Sequence, residues 1–442
     1  MKLFFEILII FLASLNLLLT WLVLFGLHQP TTLFLWVIKV FTSAISPLLF
    51  LVGVLFTASG FFLNSLPAIA LGSFSALVYL LHIIIITRAP NPSTGLEQAF
   101  GLQWKNNVPP EIKSNFLSRR YVFRLSKSPD PILKQNISFY TIPNSNRELL
   151  CDVWQPPESV KRSGLAFIYM HGSAWAVLDK DFGTRPFFRH LANQGHVVMD
   201  IAYRLFPETD LMGMVHDAKH AIAWMKANAP SYGVNPRRIT IGGGSAGGHI
   251  ALLAAYTDQN KQLMPTDLES VDVSVRGVIS LYGQSDLAAT YYHTAQHLAT
   301  HSSLARKKEG ESGGMPPWVQ KSMGANIHRL GFDKNVEPGM LAPMLGGNPD
   351  EKPEAYALFS PIKYVHKGCP PTLILHGEHD ILAPLKAMRQ LHLRLKETGV
   401  PVVMHTLPQT DHAFDLILPK ISPSAHNAIY DVERFMAILA NN

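Results

Sequence analysis

The chain has 442 residues, of which 48% are hydrophobic and only 16% charged. It is long enough to bury a large core and lies well below the roughly 25% charged content usual for soluble domains. Intrinsic disorder and a basic nucleic-acid-binding tail are excluded, because the net charge of +6 is spread without a Lys/Arg block.

In chain order, the first feature is a scarcity of charge. Residues 1–87 carry only Lys2, Glu6 and Lys39. Three apolar stretches, Leu3–Leu27, Leu33–Phe56 and Phe61–Thr87, each supply the roughly 20 residues needed to cross a bilayer core. The breaks fall at His28-Gln29-Pro30-Thr31-Thr32 and at Thr57-Ala58-Ser59-Gly60. A cleaved signal peptide competes for the first stretch. However, its apolar run exceeds the usual 7–15 or so residues, and no small-x-small site follows. Three spans, a multi-pass membrane region over 1–88, are therefore expected. Lys2, Arg88 and Lys105 lean towards a cytoplasmic C-terminal domain. Glu6 and Asn16 need no special role, and Lys39 is expected to snorkel to the interface.

A connector and lead-in, residues 89–134, opens with Ala89-Pro90-Asn91-Pro92-Ser93. Strand-like runs then appear at Ile137–Ile142, Leu149–Trp154, Leu165–Met170, Val197–Ala202, Ile239–Gly242, Val278–Tyr282, Thr372–His376 and Val402–Leu407. Helical patterns lie between several of them, at Met214–Ala227, Ala246–Tyr256 and Leu385–Thr398, and Ala425–Ala440 follows the last. This alternation predicts an α/β fold: a mostly parallel sheet covered on both faces, with the first two strands an antiparallel edge pair. Residues 283–371 are too long for a simple crossover and read as a cap insertion within a domain over 135–442. Cys151 and Cys369 make neither a disulfide framework nor a CxxC metal site, although one bridge between them stays open.

Gly243-x-Ser245-x-Gly247 ends a strand and opens a helix, the context a nucleophile elbow requires. The same letters satisfy a dinucleotide fingerprint, Gly242-x-Gly244-x-x-Gly247. That fingerprint belongs to a first βαβ unit and needs an acidic residue ending the next strand. Here at least four strands precede it, and the next strand ends without one. The elbow has companions. His171-Gly172-Ser173-Ala174-Trp175 turns directly after a strand, where backbone N–H groups can face an oxyanion. Asp380 follows the strand Thr372–His376, and His412 follows Val402–Leu407, giving the order Ser-Asp-His. Asp286 competes with Asp380; His405, His376 and His379 compete with His412. His171 is expected to shape its loop. His293, His297 and His301 share one helix face, but zinc is the weaker reading. Tyr291, Tyr292, Trp318 and Met323 are candidates to line an acyl pocket or simply to pack within the cap.

These motifs resemble the α/β-hydrolase superfamily over residues 135–440. The similarity is to the esterase/lipase group related to hormone-sensitive lipase and bacterial carboxylesterases. Asp152-Val153-Trp154-Gln155-Pro156, Tyr203-Arg204-Leu205-Phe206-Pro207-Glu208 and Leu358-Phe359-Ser360-Pro361 look like that group's DVYxP, YRLxPE and SP segments. The resemblance implies a serine hydrolase cleaving carboxylic esters, lipophilic ones among the candidates, without cofactor or metal. Ser245 would be the nucleophile, His412 the base, Asp380 the orienting acid, and Gly172, Ser173 and Ala246 the oxyanion hole. One departure is Ser173, where the group has a second glycine, so that φ is more restricted. The rival function is a catalytically idle scaffold of the same fold. Expected partners are a small-molecule ester and membrane lipid, with no nucleic acid. Because no candidate precedes His171, residues 1–87 are expected to anchor the protein without serving the chemistry.

Overall fold

The computed structural model describes residues 1–27, 33–125, 129–298 and 340–441. His301, Trp318 and Met323 lie outside the described residues, as does the side chain of His297. The chain begins with the helices α1 (Lys2–Leu24), α2 (Leu33–Ala44), α3 (Ser46–Leu63) and α4 (Leu66–Ile86). Of these, α1, α3 and α4 are long and apolar enough to cross a membrane.

The boundaries differ from the sequence expectation. The stretch Leu33–Phe56 is not one helix, because Pro47 starts a new one in the first turn of α3. Thr57-Ala58-Ser59-Gly60 does not break the chain either. These small residues lie in helix and let α3 and α4 pack backbone to backbone. A Cβ on Gly60 would lie 2.6 Å from Ile69 N, and one on Gly72 would lie 2.6 Å from Thr57 N. Such close van der Waals packing is what holds helices together where lipid removes the hydrophobic drive. The turn comes instead at Asn64, in the left-handed conformation at φ 58°, followed by Pro67 in the first turn of α4. Asn16 of α1 is buried and donates to Ser75 Oγ at 3.1 Å. Outward faces expose Phe4, Phe11, Leu18, Phe62, Leu66 and Phe74.

Short helices α5 (Leu96–Phe100) and α6 (Pro110–Lys113) lie in the lead-in. Next come β1 (Ile132–Thr141), β2 (Glu148–Gln155), β3 (Ala166–Met170), α7 (Arg185–Ala192), β4 (Val197–Ile201), α8 (Leu211–Asn228), β5 (Ile239–Gly244), α9 (Ala246–Tyr256), β6 (Gly277–Leu281) and α10 (Leu287–Leu298). Beyond the undescribed segment are α11 (Leu341–Leu345), α12 (Pro353–Leu358), β7 (Thr372–Gly377), α13 (Leu385–Glu397), β8 (Val402–Leu407) and α14 (Pro423–Asn441). Among the described residues these strands form one eight-stranded sheet in the order β1-β2-β4-β3-β5-β6-β7-β8. β2 runs antiparallel to both β1 and β4, and every other pairing is parallel. The expected edge pair is therefore present.

Alternation along β3 sends Ile168 and Met170 to the face covered by α8 and α9, and Phe167 and Tyr169 to the face covered by α7 and α14. Neither edge is left plain. β1 carries register shifts between Lys134 and Ile137 and between Ser138 and Tyr140, and Met404 of β8 donates its N–H to Thr94 O of the connector at 2.8 Å. Cys151 and Cys369 are separate buried thiols, not a bridge. Burial pushes them up to about 12 and about 11 respectively.

The lead-in is fastened to α14. Arg120 reaches Asp431 at 2.7 Å and Asn427 at 2.6 Å, and His405 meets Asp431 at 2.8 Å. Burial works against ionising Asp431, but its hydrogen bond to His405 and the charges of His405 and Arg120 outweigh burial and hold it down at about 2. A depressed carboxyl stabilises the fold above its unfolded value and loses that contribution as pH falls through the folded one. Asp431→Asn should therefore cost about 2 kcal/mol at neutral pH and flatten the fall in stability between about pH 4 and pH 2. Denaturant midpoints at several pH values check this. Equal slopes for both proteins in that window would refute it.

The N-terminal helices do not stand apart. Lys39 does not snorkel; it is buried and bonds to Asp411 at 2.9 Å. His82 of α4 contacts Gln409 at 2.8 Å, and Asn427 of α14 donates to Ile86 O at 2.6 Å.

Candidate active site

Ser245 sits between β5 and α9 with φ 52° and ψ −123°, a conformation that costs energy for a residue with a Cβ. Its surroundings impose this geometry. Ser245 N–H donates to Leu281 O at 2.9 Å, and a Cβ on either Gly243 or Gly247 would strike Met170 O. The glycines are thus required by close backbone approach to β3, and the serine is thrust out at the top of the sheet.

The three expected triad residues come together. His412 Nε2 lies 2.8 Å from Ser245 Oγ, and His412 Nδ1 lies 2.8 Å and 3.0 Å from the two oxygens of Asp380. Asp380 Oδ1 also accepts from the N–H groups of Leu382 at 2.9 Å and Ala383 at 2.7 Å. Burial opposes its ionisation, but the charge and hydrogen bond of His412, aided by His376 and Ala383 N–H, hold it below the ordinary carboxylate range. An ionised Asp380 only accepts, which makes Nδ1 the protonated ring nitrogen and leaves Nε2 to accept the proton of Ser245.

The competitors are occupied elsewhere. Asp286 caps the start of α10 by accepting from Ala289 N–H at 3.0 Å. His405 belongs to the Asp431 pair, His376 Nε2 faces Ala383 O at 3.0 Å, and His379 Nδ1 lies 3.3 Å from Lys39 Nζ.

Gly172 lies against the elbow, where a Cβ would meet Gly244 O at 3.2 Å and Ser245 Cβ at 3.4 Å. The restriction on φ at Ser173 is not exceeded: in the turn from His171 to Trp175 the left-handed residues are Ala174 at φ 45° and Trp175 at φ 61°. Its hydroxyl holds the turn in a chain of bonds. Trp175 N–H donates to Ser173 Oγ at 2.9 Å, Ser173 Oγ meets Tyr203 OH at 2.6 Å, and Tyr203 OH donates to His171 O at 2.9 Å. His171 stacks on Tyr203, and burial pushes its imidazole down to about 4, consistent with a loop-shaping role. Behind this loop, Trp175 Nε1 donates to His249, whose Nε2 contacts Phe359 O at 2.7 Å. The Tyr203 and Phe359 segments thereby brace the turn bearing Gly172 and Ser173. Ala246, the third oxyanion candidate, is the first residue of α9.

Several residues at the site escaped the sequence reading. Tyr282 packs against His412, with ring centroids 4.6 Å apart and the rings tilted by 57°, and donates a hydrogen bond to Asp415. Burial pushes Asp415 up to about 6. Tyr282 lies two residues beyond Ser280 at a strand end, so spacing alone gave no signal. His293 of the suspected histidine run contacts Asp380 O at 2.9 Å. Among the described residues there is no group of His, Cys, Asp and Glu that would hold a metal ion. Tyr291 is buried against Tyr356, whereas Tyr292 is exposed and bonds to Asp350 at 2.8 Å.

Comparison with known proteins agrees with this architecture. The family model BD-FAE matches residues 151–313 and 323–395. Esterase LipQ of Mycobacterium tuberculosis is 28% identical over 342 residues, covering 76% of this chain and 72% of that protein. From the same organism, a probable carboxylic ester hydrolase, LipM, is 30% identical over 288 residues, or 65% of this chain and 57% of that protein. The alignment thus spans little more than half of LipM. A truncated carbohydrate esterase from gut microbiota superposes with a TM-score of 0.52 at 21% identity, covering 72% of this chain and all of that one, which establishes the fold. With the family model extending over more than half of the sequence, the chain belongs to BD-FAE, within the esterase/lipase group of the α/β-hydrolases.

Proposed function

We propose that this protein is a membrane-anchored serine hydrolase that cleaves carboxylic esters through an acyl-enzyme. The observation that carries the reading is the continuous relay from Ser245 Oγ through His412 to Asp380, with both links at 2.8 Å. As Oγ attacks the ester carbonyl, His412 Nε2 takes its proton, and Asp380 stabilises the resulting imidazolium. Backbone N–H groups of Gly172, Ser173 and Ala246 hold the oxyanion, each contributing about 3 kcal/mol. Collapse breaks the bond to the alkoxide, which leaves with the proton from His412. Water then attacks the acyl group, His412 accepts its proton, and the acid departs as Ser245 recovers its hydrogen. Every proton in this scheme is moved by residues of the chain, so no cofactor is invoked. A relay assembled on a strained elbow speaks against the idle scaffold, which has no use for that strain.

The anchoring half of the proposal rests on α1, α3 and α4 and on their exposed apolar faces. The substrate class is a small ester, and lipophilic esters can reach an enzyme held at a bilayer. The scarcity of Lys and Arg between the spans, with Arg88 and Lys105 after them, favours a cytoplasmic catalytic domain.

The test is a fluorophosphonate probe applied to carbonate-washed membranes containing the full chain. Covalent labelling in the pellet, blocked by prior incubation with an aryl ester, is the expected result. An unlabelled but folded protein would return the scaffold reading. A labelled protein released into the wash would remove the anchor.

A further inference from the structure

A buried carboxylate links the N-terminal helices to the loops of the triad. Asp411 Oδ2 accepts from Lys39 Nζ of α2 at 2.9 Å, and both side chains are 1% exposed. Its other oxygen accepts from His412 N–H at 2.8 Å and from Ile381 N–H at 3.3 Å. Asp411 therefore grips the residue bearing the base and the residue next to Asp380, and Lys39 grips Asp411. Apolar packing reinforces the same junction, where Leu22 and Leu27 bury against Ile381, flanked by Trp36, Ile38 and Leu382. From α4, His82 contacts Gln409 at 2.8 Å while Ser43 of α2 holds its other ring nitrogen at 3.1 Å. The N-terminal helices thus touch both loops that carry triad side chains.

We propose that Lys39 is a positioning residue for the triad: through Asp411 it fixes the loops of Asp380 and His412 relative to each other, making the N-terminal helices part of the hydrolytic apparatus. This rests on the esterase reading above and reverses the expectation that residues 1–87 serve only as an anchor. The physical case is electrostatic as well as geometric. Burial pushes the Asp411 carboxyl up, the Lys39 charge opposes that push, and Asp380 adds to it. Without Lys39 a buried carboxylate stands unpaired beside His412, an arrangement proteins do not tolerate without cost. Among the described residues, the charged or titratable groups around this junction are Lys39 from α2, His82 from α4, His376 from β7, Tyr282 after β6, Glu378, His379 and Asp380 on the acid loop, Asp411, His412 and Asp415 on the base loop, and His293 from α10.

The proposal is tested on the full chain in lipid nanodiscs with a small soluble aryl ester, using Lys39→Met, Lys39→Arg, Asp411→Asn and the double variant Lys39→Met/Asp411→Asn. Lys39→Met is expected to lower kcat by about 10- to 100-fold with KM within about twofold, because Lys39 is buried against Asp411 and not open to a substrate. Its lone carboxylate favours the imidazolium, so the acid limb of kcat/KM moves to higher pH. Asp411→Asn leaves a lone cation and moves that limb to lower pH. The double variant returns the limb close to its wild-type position but retains the kcat loss, and Lys39→Arg restores both. If Lys39→Met does not fold, Lys39→Arg and the double variant, which bury no unpaired charge, carry the comparison. Two outcomes overturn the proposal: kcat within about twofold of wild type in the double variant, or lost activity with an unmoved limb in both single variants. Ser245→Ala runs in parallel. A wild type without turnover, or an active Ser245→Ala, defeats the esterase reading itself, whereas a fully active double variant beside an inactive Ser245→Ala defeats only the role of Lys39.

Discussion

Ser245→Ala should reduce turnover of a short-chain aryl ester by about 10⁵- to 10⁶-fold and abolish fluorophosphonate labelling, while the far-ultraviolet spectrum and the thermal midpoint stay near wild type. The size of the effect follows from losing the proposed nucleophile. The backbone donors proposed at Gly172, Ser173 and Ala246 would still polarise a bound carbonyl, so a residual rate above the uncatalysed reaction is expected. The fold is spared because Ser245 Oγ bonds to His412 at a partly exposed position, and because alanine replaces it with less bulk at the same strained φ of 52°. Adding His412→Ala to this variant should lower the rate little further, since the relay acts as a unit. Retention of more than a few per cent of wild-type turnover would show that another residue attacks the ester.

The second large effect is at Asp380. Asp380→Asn should lower kcat by about 10³- to 10⁴-fold with little change in KM. Two backbone N–H groups, of Leu382 and Ala383, already claim one oxygen of this side chain. An asparagine satisfies them with its carbonyl, which turns its NH₂ towards His412 Nδ1. A donor there forces the imidazole into the opposite tautomer, with its proton on Nε2, where it cannot take the serine proton. The geometry survives and the chemistry does not. Full activity in this variant would mean that a different group orients His412, and Asp415 through Tyr282 would be the place to look.

What the sequence disclosed is what short-range periodicity and loop chemistry encode. Eight alternating apolar runs, the glycines around Ser245 and acid and base residues placed after strands each have a local cause, and the mostly parallel sheet and the meeting of Ser245, His412 and Asp380 follow that pattern. The helix Arg185–Ala192 went unseen because its eight residues give too few turns for a 3.6-residue period to stand out. The N-terminal helix boundaries were misplaced for a different reason. Glycine, serine and threonine read locally as turn formers, whereas between α3 and α4 they are the surface that lets two helices touch. Lys39 was the hardest to read. Its partner lies 372 residues away, and no local pattern distinguishes a lysine that snorkels from one that crosses to Asp411. Tyr282 was equally silent, since an aromatic at a strand end is ordinarily only core.

The connector residue Thr94 has a consequence for how the molecule behaves among its own copies. An open strand edge is a template on which another chain can add, and β8 is such an edge but for the carbonyl of Thr94 that takes up the N–H of Met404. At the opposite border the register shifts of β1 twist the ladder out of flatness, which discourages the same addition. A few Pro-rich residues, without a repeating pattern of their own, thus act as a selvedge that keeps the woven sheet from joining its neighbour's. Proteolysis just beyond Thr94 would leave the fabric intact and its border raw, and the clipped protein would be lost to self-association before it was lost to unfolding.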